Sequence, residues 1–251
     1  MEILLSRILR YLNGALEYNS HFKAASFIVS HYLQIRDYTI ERMSEESGLT
    51  IDEIMAFINL FGLQTFKEFL YRVDVDYELR LSQIGLRMVD TTERDFLSGI
   101  TTDCEADEFL EKIRSECEQM FKARRIVIFG SHYPSSVAVD FQTDMITFGK
   151  EVIDYHRFVD DFKFHEDDFT LVISATGRTL EDLDQNMIDQ GICQSHILLV
   201  TQNPRLANYN DVCADEVILI KGRYDGMQFN HQLMSVFDTF RIVYFNQFYS
   251  N

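Results

Sequence analysis

From residue 125 onward, short apolar runs alternate with amphipathic stretches, and this alternation restricts the chain to very few folds. The runs at 125–129, 169–174, 196–201 and 216–220 are too short for helices and rich in Val, Ile, Leu and Phe, so they read as strands. Between and after them, 135–147, 179–190 and 227 to about 248 carry apolar residues at helical spacing. Strands separated by helices pair in parallel, because a parallel partner needs a crossover of helix length, and the helices then cover both faces of the sheet. In open sheets of this kind, ligands bind beyond the carboxyl ends of the strands.

One such end is Leu171-Val172-Ile173-Ser174-Ala175-Thr176-Gly177-Arg178-Thr179-Leu180-Glu181, a strand that runs through a hydroxyl-rich loop into a helix. The first N–H groups of a helix lack intrahelical partners and carry the positive end of its dipole, so an anion finds donors there. Ser174, Thr176 and Thr179 add hydroxyls, Gly177 removes a Cβ where the backbone approaches most closely, and Thr179 caps the helix. This is the pattern of a phosphate cradle. An ordinary strand-to-helix turn with a Ser/Thr cap has the same composition.

The first 90 residues read as helical. Residues 39–47 form a short helix, Gly48-Leu49 a turn, and Thr50 opens a second helix with the capping box Thr50-x-x-Glu53. Two short helices joined by a Gly-containing turn are a helix-turn-helix pattern. The first 16 residues are amphipathic, with Arg7 and Arg10 among Ile3, Leu4, Leu5, Ile8, Leu9 and Leu12. Residues 80–88 continue as helix, 89–102 are rich in caps and breakers, and 105–121 form a helix leading into the first strand.

Two parts of this pattern resemble known families. The loop Ser174-x-Thr176-Gly177-x-Thr179-x-Glu181 and the segment Val200-Thr201-Gln202-Asn203-Pro204, followed by Leu206-Ala207 and Ala214-Asp215, resemble the sugar isomerase (SIS) domain, a phosphosugar-binding module. In the first loop, residues 129–140, that family's phosphosugar-binding Ser falls on Pro134, so either Ser135 or Ser136 takes its place by a shift or this half of the site is degraded. Residues 21–71, with Phe57, Phe61-Gly62-Leu63, Phe66 and Phe69, resemble the amino-terminal domain of RpiR/MurR-type transcriptional regulators. The joint resemblance implies an all-α helix-turn-helix domain at 1–90, a linker at 91–104 and an α/β doubly wound, flavodoxin-like SIS domain at 105–251. It implies a regulator that binds a DNA operator through Thr50, Ile51, Asp52, Ile54 and Met55. Its effector would be a sugar phosphate held by Ser174, Thr176, Gly177, Thr179, Ser135 and Ser136, with no cofactor and no metal.

The charges qualify that picture. In the second helix of the pair, Ala56 stands where the family carries an Arg, and Asp52 and Glu53 leave the helix acidic. The whole chain has 23 Lys and Arg against 40 Asp and Glu, a net charge of −17, and residues 1–90 alone carry 9 against 13. Lys23, Arg36, Arg42, Lys67 and Arg72 are the nearby cations that would have to compensate. A sensor that has lost DNA binding and acts through a protein partner fits these residues as well. A sugar phosphate isomerase needs a base, for which Glu181, His231 and, in the first loop, His132 are available.

Cys104, Cys117, Cys193 and Cys213 are far apart in sequence without metal-ligand spacing, and read as reduced thiols of a cytoplasmic protein. No signal peptide or membrane span is evident. The closing helix carries Leu233, Val236, Phe237, Phe240, Val243, Tyr244 and Phe248 on more than one face, which points to burial in a homodimer or higher homo-oligomer.

Overall fold

A computed structural model describes residues 2–89, 91–130, 137–181, 185–206, 213–224 and 226–249, with the backbone alone described at 180 and 181. The amino-terminal part contains α1 (Leu4–Asn13), α2 (Ser20–Ser30), α3 (Ile40–Ser47), α4 (Ile51–Asn59) and the long α5 (Phe66–Met88). Their starts follow from side-chain caps. Asn19 accepts from Phe22 N, Thr39 from Arg42 N and Thr65 from Glu68 N, while Thr50 and Glu53 close the reciprocal box at α4. Gly48, at φ +69°, ends α3 in the left-handed conformation and sets the turn into α4.

A 3-10 segment, Glu93–Gly99, then leads to α6 (Ala106–Lys122), β1 (Arg125–Gly130), α7 (Val139–Thr147), β2 (Val152–Asp154), β3 (Asp168–Ile173), α8 (Arg178–Glu181), α9 (Gln185–Asp189), β4 (His196–Thr201), β5 (Glu216–Leu219) and α10 (Gly226–Phe248). All five strands are parallel, in the order β2-β1-β3-β4-β5. This is the doubly wound arrangement that the alternation demands. The four expected strands are all present. The additional strand β2 is a three-residue edge with little apolar signal of its own.

Strand residues alternate between two cores, as the pleat requires. Ile126, Ile128, Leu171, Ile173, Leu198 and Val200 face a cluster containing the buried residues of α6, α7 and α10. Val127, Phe129, Val172, Ile197 and Leu199 face a smaller one with Tyr155, Phe164, Met187 and Leu206. The buried residues of α1, α2, α4 and α5 belong to the larger cluster, so the head and one face of the sheet share a continuous core.

Polar contacts cross the seam between head and sheet layer. Ser6 Oγ lies 3.0 Å from Thr143 Oγ1, Asn13 Nδ2 donates to Gln142 Oε1 at 2.7 Å, and Arg80 of α5 donates to the buried Asp144 of α7 at 2.5 Å. Arg241 of α10 donates to the other oxygen of the same carboxylate at 2.6 Å.

Much of the apolar surface of α10 packs within its own chain: Phe237 stacks on Phe141 of α7, Phe248 on Phe121 of α6, and the 3-10 segment closes over Ser235. One expectation is corrected here. Cys193 and Cys213 are bonded as a disulfide with Cα atoms 5.8 Å apart, whereas Cys104 and Cys117 are free. Their separation of 20 residues hides the proximity, because β4 runs out and the chain returns between them. Among the described residues no helix is long and apolar enough to cross a membrane.

Candidate functional site

The hydroxyl-rich loop leaves the carboxyl end of β3, whose six residues are all buried in the middle of the sheet. Ser174 N extends the ladder to Val200 O, and Gly177 N then donates back to Ser174 O at 3.1 Å, closing a tight turn. Gly177 is required on two grounds. Its φ is +80°, and a Cβ would stand 1.8 Å from Leu206 Cδ1. Two side chains meet the amides that open α8: Thr176 Oγ1 accepts from Arg178 N, and Ser174 Oγ accepts from Thr179 N, both at 3.4 Å. These bonds lie at the long, weak end of the range, and any anion with better geometry competes for the same donors. Ser174 and Thr179 are buried, and Thr176 is half-buried.

The loops after β4 and β5 are tied to this turn. Asn203 Nδ2 donates to Thr176 O at 2.9 Å, Gln202 N to Ala175 O at 3.0 Å, and Tyr224 N to Gln202 Oε1 at 3.0 Å. Gly222 makes room for Gln202, since a Cβ there would lie 1.8 Å from Nε2. Tyr224, at φ +60°, is the one non-glycine residue with positive φ among the described residues. Such a conformation persists only where its surroundings hold it. Gln202 Nε2 is buried and donates no hydrogen bond to any described atom.

The sequence reading did not single out Asn203 and Gln202 as site residues, nor the basic residues on these loops. Arg178 follows β3, Arg205 follows β4, and Lys221 and Arg223 follow β5, all of them exposed. Their shared signal is position, each within five residues after a strand.

Of the other expected residues, Ser135, Ser136 and His132 lie outside the described residues, as does the side chain of Glu181. His231 is exposed in the first turns of α10, in a shallow depression with Arg223 and Met234. Thr50, Ile51 and Asp52 are exposed at the start of α4, and Met55 is half-buried. Ile54 is fully buried in the larger core, so it is corrected from a contact residue to a packing residue. The outward face of α4 presents Ile51, Asp52, Ala56, Asn59 and Leu60. Of the nearby cations, Arg36 pairs with Asp74, Arg42 with Glu46 and Arg72 with Asp76, at 3.0, 2.8 and 2.8 Å.

No family model matches the sequence, and no curated protein matches it. Among solved structures the chain is similar to the Vibrio vulnificus NanR protein complexed with ManNAc-6P, at 14% identity and a TM-score of 0.42, over 98% of this chain and 92% of that one. It is similar to a hypothetical protein of Methanococcus jannaschii, for which a 3-hexulose-6-phosphate isomerase function has been inferred, at 16% identity and a TM-score of 0.45 over 67% of this chain and 90% of that one. A further hypothetical protein is similar at 17% identity and a TM-score of 0.44, over 68% of this chain and 89% of that one.

Proposed function

We propose that this chain is a sugar phosphate sensor of RpiR-like organisation, in which a SIS-like sheet layer binds the phosphate at Ser174, Thr176, Gly177 and Thr179 and the helical head carries the output. The observation behind this reading is the turn after β3. A hydroxyl-lined loop stands at the carboxyl end of the central strand, and the two amides opening α8 donate to its hydroxyls at 3.4 Å. Phosphate oxygens form shorter, charge-assisted bonds to such amides and gain from the dipole end, so exchanging the internal acceptors for a ligand is favourable.

Binding without turnover is the reading adopted here. An isomerase needs a base held against the sugar and screened from water. His231 is exposed in an open depression, which is a poor place for that work.

For the output, the RpiR resemblance implies an operator. The outward face of α4 supports a second reading, a protein partner, because it is apolar and acidic and the neighbouring Arg side chains are already paired. Melting curves with a panel of hexose 6-phosphates and the same sugars without phosphate test the sensor. A phosphate-dependent stabilisation of about 2.7 kcal/mol is expected at a ligand concentration of about 100 Kd. No stabilisation by any of them would end the proposal. Binding to DNA from the upstream region at low salt, where attraction is greatest, decides between operator and protein partner.

A further inference from the structure

Between the head and the edge of the sheet lies a cavity of about 400 Å³, the size of a small-ligand site. Its walls come from α2 on the head side and from β2, the edge strand, with the chain that follows it. Rings line much of it: Phe22 is buried, and Phe27, His31 and Phe162 are half-buried. Glu151, just before β2, lines it too. This half-buried carboxylate accepts one hydrogen bond, from Ser30 Oγ at 2.6 Å, and no cation pairs with it among the described residues. Every other described carboxylate that is not exposed is matched. Asp76, Glu93, Asp144, Asp168, Glu216 and Asp238 pair with Arg or Lys, Glu116 pairs with His196, Glu53 closes the capping box of α4, and Asp154 is engaged. The charged groups that share the cavity do not answer Glu151. Arg125 is taken by Asp168 and the carbonyl of Lys163, and the exposed Lys23 holds its Nζ 5.0 Å from the centre of the Tyr18 ring. Glu46 is held by the Tyr38 hydroxyl and Arg42. Burial pushes the His156 imidazole below its usual 6.5, so it adds no positive charge at neutral pH. A carboxylate drawn this far from water is normally paired.

We propose that this cavity is a second binding site and that it takes an organic cation, with an ammonium or guanidinium group against Glu151 and an apolar body among the rings of Phe22, Phe27 and Phe162. The carboxylate and the rings select the same class of ligand, because aromatic faces attract cations as well as apolar groups. A neutral or anionic occupant leaves Glu151 without its counter-charge. The site is separate from the turn after β3, since β1 stands between β2 and β3. Its occupant touches α2 of the head and the β2 edge together, and so bridges the two parts of the chain.

Calorimetric titration of the full chain with phenethylamine, its neutral counterpart phenethyl alcohol, the anion phenylacetate and the aliphatic cation agmatine tests this. At least one of the two cations should bind about 10-fold or more tighter than the alcohol and the anion, as one charge-assisted hydrogen bond provides. This comparison is made on the parent chain and needs no variant. Glu151→Gln keeps the shape and an acceptor for Ser30, and should reduce the preference to within about twofold. Glu78→Gln, which removes the same charge from an exposed position on α5, is the control for general attraction to an acidic chain and should leave the preference intact. Binding by neither cation, equal affinity for cation and alcohol, or a preference that survives Glu151→Gln or falls equally in Glu78→Gln overturns the inference. None of these results bears on the sugar phosphate reading, which is tested at a different site.

Discussion

Replacing Asp144 by Ala removes the acceptor that joins α5, α7 and α10. The carboxylate is 1% exposed and takes Arg80 Nε at 2.5 Å and Arg241 Nε at 2.6 Å, and both guanidinium groups are themselves largely buried. Deleting one partner of a buried ion pair costs about 3–5 kcal/mol, because the remaining charge is stranded. Here two guanidiniums would be stranded. Asp140, 3.5 Å from Arg80 Nη2, and Asp238, bonded to Arg241, moderate the loss, so about 4 kcal/mol is expected. Asp140→Ala is the control: its side chain is 68% exposed and its pair is long, so it should cost under about 1 kcal/mol. Urea unfolding followed by circular dichroism measures both. In a chain of 251 residues, 4 kcal/mol also corresponds to a fall in Tm of about 10 °C. The triple change Asp144→Leu, Arg80→Met, Arg241→Met should recover most of the loss, because no charge is left buried. An Asp144→Ala loss no larger than that of Asp140→Ala would refute the reasoning.

Three further outcomes follow from the same geometry. Gly177→Ala should cost about 2–4 kcal/mol, from a left-handed φ and the displacement of buried Leu206, whereas Gly48→Ala, with a similar φ and nothing within 4 Å, should cost only about 1. Equal losses in denaturant would show that Leu206 yields freely. Ile54→Ala should cost about 2–4 kcal/mol and Ile51→Ala, on the exposed face of α4, under about 1; a reversal of that order would place α4 the other way round. The Glu116 carboxylate, 2.9 Å from His196 Nε2, holds the imidazole's pKa above its usual 6.5. Its contribution to stability is therefore complete below about pH 6.5 and is lost as pH rises through the raised value. Urea midpoints measured upward from pH 6 should fall more steeply in the parent than in Glu116→Gln, and parallel curves would remove this pair from the account.

The fold was legible wherever a local signal and the global pattern agree. The alternating runs identified four of the five strands, and Thr39, Gly48, Thr50 and Glu53 marked the helix pair almost residue by residue, because caps and left-handed glycines act within a few residues. β2 escaped because three residues at an edge carry too little periodicity. The seam between head and sheet was invisible for another reason: Asp144, Gln142 and Thr143 are polar and read as solvent-facing, and only their partners 64 to 137 residues away explain their burial. The contacts that α10 makes with α6 and α7 were not legible, because sequence shows how much apolar surface must be covered, not by what. The turn after β3 was found from its hydroxyls and Gly177. The clasp through Gln202 and Asn203 and the basic rim were not, because they depend on which loops the sheet order brings together.

The most direct test of the sensor reading is calorimetric binding of a hexose 6-phosphate to the parent chain and to Ser174→Ala/Thr179→Ala. Phosphate-dependent binding by the parent, weakened about 10-fold or more in the double variant through loss of buried hydroxyl contacts, is the predicted result. Undiminished binding by the double variant would place the ligand elsewhere, and no binding by the parent would contradict the account.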